Sequence, residues 1–70
     1  MSPLPTVGRI VHYNAPANDE WPERSLAALI TGVNEDGTVD LCCFGPAGLG
    51  FRRNIKEGNE NSTWHWPPRV

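Results

Sequence analysis

The chain has 70 residues, a formal net charge of -2 and a sequence pI of about 5.5, which weighs against general binding to a nucleic-acid backbone, where a basic face supplies most of the affinity. A single domain of this size removes only about 60% of its unfolded surface from water, so its core is marginal and a disulfide, a metal or a second chain is the usual supplement. The two cysteines, Cys42 and Cys43, are adjacent and can staple nothing distant, which points to reduced thiols in a cytosolic setting.

No apolar run of signal-peptide or membrane length precedes the first candidate strand, so a soluble protein with no membrane partner is expected. Seven glycines and seven prolines leave little room for a long helix and favour short strands. The first strand is VGRIVHY, Val7 to Tyr13, with Val7, Arg9, Val11 and Tyr13 on one side and Gly8, Ile10 and His12 on the other. NAPANDEWPE, Asn14 to Glu23, reads as a polar loop. SLAALITGV, Ser25 to Val33, is the second strand; a helix is the rival because Leu and Ala favour it.

The strongest local signal is NEDGT, Asn34 to Thr38, between Val33 and VDLCCF. Gly37 supplies the positive φ of a hairpin loop, and alternation puts Val39, Leu41 and Cys43 on one face, Asp40, Cys42 and Phe44 on the other. GPAGLG, Gly45 to Gly50, reads as a loop. GFRRNI is a fourth strand with Phe51 and Arg53 opposite Gly50, Arg52 and Asn54. After the polar KEGNENS, TWHW forms a final strand with Trp64 and Trp66 on one face and His65 on the other, stopped by Pro67 and Pro68. The expected fold class is all-β: one domain, residues 1–70, as a small SH3-like barrel of about five short antiparallel strands.

Taken together, GRIVHY, VNEDGTVDL, FGPAGLGF and TWHWP resemble a family of small proteins encoded by tailed bacteriophages, over most of the chain. The sequence departs from the family pattern at Ser62, where glycine is usual before Thr63, and at Phe51 to Asn54, where FRRN replaces a more polar, less basic stretch. Such proteins mostly lack an assigned activity. Their size and setting resemble those of small counter-defence proteins that sequester nucleotide immune signals, which implies action in the host cytoplasm.

Catalysis is not expected. His12, His65, Cys42, Cys43, Asp40 and Tyr13 match no nucleophile elbow, phosphate loop or paired carboxylates. Successive cysteines on a strand face opposite ways and cannot share an ion, and two histidines do not make a zinc site, so neither metal nor cofactor is expected. The informative set is aromatic and basic. Arg9, Arg52 and Arg53 offer forked donors suited to phosphate, Tyr13, Phe51, Trp64 and Trp66 offer flat apolar faces, and His65 adds a donor. These eight are the candidate ligand-binding residues, for a small anionic nucleotide of cyclic or ADP-ribose type. The competing reading makes Trp64 and Trp66 a lid on the barrel's own core, or an interface in a homo-oligomer whose aromatic tails cross between chains. A protein-interaction adaptor without a small ligand is the alternative function.

Overall fold

The computed structural model describes residues 4–17, 22–46 and 48–68. Asp19, Glu20 and Trp21 of the loop expected over Asn14 to Glu23, and Arg69, lie outside the described residues. Five strands form: β1 (Ile10–Ala15), β2 (Arg24–Val33), β3 (Val39–Gly45), β4 (Gly48–Glu57) and β5 (Thr63–His65). They close into a barrel in chain order, with β5 returning to pair with β1. The architecture is all-β and consistent with an SH3-like barrel, and the helix considered for Ser25 to Val33 is absent because that segment is β2.

One feature of the expected fold needs correction. Four of the neighbouring pairs are antiparallel, but β4 and β5 run parallel, with Lys56 opposite Thr63 and Glu57 opposite Trp64. The reason is topological: directions cannot alternate all the way around a closed ring with an odd number of strands, so at least one neighbouring pair must be parallel.

The inward residues are Val11 and Tyr13 from β1, Ala28 and Ile30 from β2, Val39, Leu41 and Cys43 from β3, Ile55 from β4 and Trp64 from β5. Sequence alternation anticipates most of these. Val7 is the exception in the first strand: it sits in a turn and is 65% exposed, because the ladder begins only at Ile10. The strand instead continues through Asn14 and Ala15. The loop expected over Gly45 to Gly50 is also shorter, since Gly48 to Gly50 already belong to β4 and Gly45 pairs with Gly48.

Two bulges set which side chains turn inward. Ile30 faces Leu41 and Gly32 faces Asp40, so β2 carries one extra residue there. Leu41 faces Arg52 whereas Val39 faces Ile55, so β4 carries an extra residue across Arg53 and Asn54. Asn54 takes φ 56°, a left-handed conformation that asparagine tolerates better than most residues. Simple alternation would put Ile55 on the side of Phe51. The bulge puts it in the core.

The outer side of the sheet is unusually apolar. Registers align Ile10, Leu29, Cys42 and Phe51 in one row across four strands. His12, Ala27, Phe44 and Leu49 align in the next row, with His65 beyond His12 on β5. Directly opposed residues share a face. Ile10, Phe44, Leu49 and Phe51 are 64%, 48%, 62% and 71% exposed.

Candidate functional site

The aromatic residues of the chain's end and the strand beside it form a connected spine. Trp64 is opposite Tyr13 across the β1–β5 pairing, and its ring meets that of Trp66 edge-on at 5.2 Å and 84°. An arginine caps each end of this series: the Arg9 guanidinium lies 5.4 Å from the Trp66 ring centre, and that of Arg52 lies 5.9 Å from the Tyr13 ring. Such distances allow cation–π attraction. Both arginines are exposed, whereas Tyr13 and Trp64 are buried.

Local backbone geometry explains the placement of the caps. Arg9 accepts a backbone bond from Ile30 at its carbonyl, and Gly8 donates to the Ile30 carbonyl with φ 94°, so the chain is tied to β2 as it enters the barrel. Arg52 rises from the inward side of β4 opposite Leu41, donates through Nη1 to the Phe51 carbonyl at 2.9 Å, and packs beside Gly50, where a Cβ would meet Nη1 at 3.4 Å. Cys43 lies within its field. Burial pushes the Cys43 thiol pKa up, and the Arg52 charge opposes that rise in part.

The eight candidate residues therefore do not converge on one pocket. Trp64, at 1% exposure, is core, and Tyr13 is covered as well, so neither offers a free face for stacking. The cover of Trp64 is the chain itself. Trp66 lies just past β5, half-buried against the core cluster. Phe51 points outward from the sheet, on the side opposite Arg52. Arg53 sits in the β4 bulge, where its charge helps lower the Asp40 pKa. His65 faces outward against His12, with ring centres 5.2 Å apart in an edge arrangement.

One electrostatic anomaly marks the end of the chain. The indole Nε1 atoms of Trp64 and Trp66, together with His65 Nδ1, are buried without a hydrogen-bond partner. An indole N–H can only donate. Leaving such a donor orphaned costs about 1–3 kcal/mol, and of the two indoles only that of Trp66 belongs to a residue not enclosed by the chain.

A concavity lies elsewhere, beside the loop between β4 and β5. Asn14 Nδ2 donates to the Gly58 carbonyl and to Thr63 Oγ1, and Ser62 donates its N–H to the Asn14 carbonyl, clamping the 58–62 loop against β1. Beside this clamp a polar cleft of 430 Å³ is walled by Ala15, Arg24, Ser25 and the loop residues Asn59, Glu60 and Asn61. Asn14 belongs to β1 and not to the loop expected from Asn14 onward, because polar connecting segments carry no periodic signal that would place them against a strand. Glu23 and Glu60 also line this cleft, making it a poor receptor for an anion.

Among the described residues, no group of three or more His, Cys, Asp or Glu could hold a metal ion, and Cys42 and Cys43 are free, buried thiols. Among the described residues, no helix is long and apolar enough to cross a membrane. No protein-family model, curated protein or solved structure matches this chain.

Proposed function

We propose that this chain is a non-catalytic binding protein for a small anionic nucleotide, held at the corner where Arg9 covers Trp66. The observation that carries the reading is the exposed Arg9 guanidinium over the half-buried Trp66, whose indole N–H has no acceptor in the chain. A phosphate or a base carbonyl supplies what both lack: negative charge for Arg9 and an acceptor for an indole. No bond is broken, and the ligand is sequestered. The likeness of the sequence to small tailed-phage proteins supplies the setting, capture of a nucleotide immune signal in the host cytoplasm.

Isothermal calorimetry against cyclic oligonucleotides and ADP-ribose derivatives tests this reading. One of them is expected to bind, and Arg9→Ala to weaken it by about tenfold or more, the worth of a charge-assisted hydrogen bond. Uniformly absent heat and thermal shift would leave water as the indoles' partner and end the proposal. The second reading, a protein-docking adaptor, is favoured by the apolar outer rows. One stoichiometric protein partner from host lysate, with no retained small molecule, is its expected signature.

A further inference from the structure

We infer that the free edge of β4 over residues 48–52 takes an extended acidic peptide as a sixth, antiparallel strand, with an apolar–acidic–apolar triplet opposite Leu49, Gly50 and Phe51. The inference does not depend on the ligand proposed above, because it uses backbone groups of β4 and not the corner where Arg9 covers Trp66.

The ring of strands is sealed along only part of β4. This strand runs from Gly48 to Glu57 and pairs with β3 as far as Ile55, yet β5 meets it only at Lys56 and Glu57. Among the described residues, nothing pairs with the other edge of residues 48–55. Gly45 opposes Gly48 across two intervening residues, so this is the hydrogen-bonded pair that closes a two-residue hairpin. Bonded and non-bonded pairs alternate along an antiparallel ladder, which makes Cys43–Gly50 and Leu41–Arg52 bonded pairs as well. Leu49 and Phe51 therefore turn their N–H and C=O groups away from β3, toward the free edge. The Phe51 carbonyl agrees with this, since it accepts from Arg52 Nη1 at 2.9 Å. Another extended backbone is what satisfies such a row of groups. The bulge at Arg53 and Asn54 ends the regular edge.

Side chains along the edge choose what that backbone carries. Directly opposed residues share a face, so residues opposite Leu49 and Phe51 lie on the outer side, against side chains that are 62% and 71% exposed. Apolar residues there cover both. The residue between them points inward opposite Gly50, where no side chain stands in the way. Arg52 reaches over that spot, since a Cβ on Gly50 would lie 3.4 Å from its Nη1. A carboxylate suits this position, and residues 48–54 contain two arginines and no acid of their own. On pairing, the incoming N–H replaces Arg52 on the Phe51 carbonyl, and the released guanidinium takes the carboxylate. In the free protein the same arginine guards the edge, as basic residues do on other exposed strands. A strand with Lys or Arg opposite Gly50 meets repulsion in place of an ion pair. A second copy of β4 is disfavoured on the same ground, because it brings two further arginines to the seam.

Amide chemical shifts of the full chain, titrated with the capped peptide Ser-Thr-Val-Glu-Val-Thr-Ser, are the test. Saturable shifts are expected to centre on Leu49, Gly50 and Phe51, with slowed exchange of the Leu49 and Phe51 N–H groups. Replacing the peptide's Glu by Lys should weaken binding by about tenfold or more, the worth of a charge-assisted hydrogen bond. Methylating the two valine nitrogens should abolish binding, because it removes the donors to the edge while leaving the protein unaltered. Arg52→Gln should bind the Glu and Lys peptides alike, with unchanged amide shifts away from β4 showing an intact barrel. No saturable shift with the Glu peptide, an equal response to the methylated one, shifts centred on Arg9 and Trp66, or a preference for Glu that survives Arg52→Gln would each overturn the inference. So would slow exchange of the Leu49 and Phe51 N–H groups in the concentrated free protein, which would mean that another copy already occupies the edge.

Discussion

Ser62 holds a φ of 67°, in the left-handed region where a Cβ is strained and glycine is not. Ser62→Gly should therefore stabilise the chain by about 0.5–1 kcal/mol, raising the thermal midpoint by roughly 2–8 °C for a domain this small. A scanning calorimetry trace with an unchanged or lowered midpoint would contradict it. Asp40 makes a second residue-scale case. Its Oδ1 accepts from the Asn54 backbone N–H and from Asn34 Nδ2, which together with the nearby Arg53 hold its pKa below the ordinary carboxylate value. A folded pKa below the unfolded one stabilises the fold above the unfolded pKa, and that contribution is lost as pH falls through the folded value. Thermal midpoints measured downward from about pH 5 should thus fall in the wild type, and Asp40→Asn should flatten that acid limb while leaving the profile above neutrality parallel. Asp36 shifts in the same direction, because Thr38 donates to it through both its hydroxyl and its N–H, so some acid sensitivity survives the substitution.

At the scale of strands, the sequence is most legible where pleat alternation and turn chemistry agree. NEDGT turns as its residues require, with Gly37 at φ 91°, the Asn34 N–H bonded to the Thr38 carbonyl, and Val39, Leu41 and Cys43 all inward. Strand β4 is less legible, because its bulge comes from three-dimensional closure and leaves no local residue pattern except an asparagine. The bulge is testable as an element. Deleting Arg53 and Asn54 together leaves Ile55 next to Arg52 and turns it from the core to the outer side, or forces the Lys56–Thr63 pairing out of register, whereas deleting Arg53 alone keeps Ile55 opposite Val39 without a bulge. The double deletion should destabilise the chain by about 2–5 kcal/mol, comparable with losing a buried isoleucine, and urea denaturation would read it. A midpoint within error of wild type would mean that the β4 register is not fixed by these two residues. The candidate site was the least legible part. Trp64 and Trp66 share one face as their alternation requires, yet only their partners decide that one becomes core and the other a half-buried corner under Arg9. Those partners come from β1 and the segment before it, more than 50 residues away in sequence.

For the whole molecule, the closing seam matters most. β5 has only three residues, yet it completes the ring by pairing with β1 on one side and β4 on the other. It also contributes Trp64, the largest fully buried side chain of the core. The contacts that latch the seam, from Asn14 to Gly58 and Thr63, span 44 and 49 residues of chain. Pairings so distant are made at a high cost in loop entropy, which places ring closure late in folding and makes the chain slow to fold for its length. The shortest strand consequently cannot fray as an ordinary chain end does. Peeling it away would empty the barrel of its central aromatic, so three residues act as the keystone without which the other strands enclose no finished core.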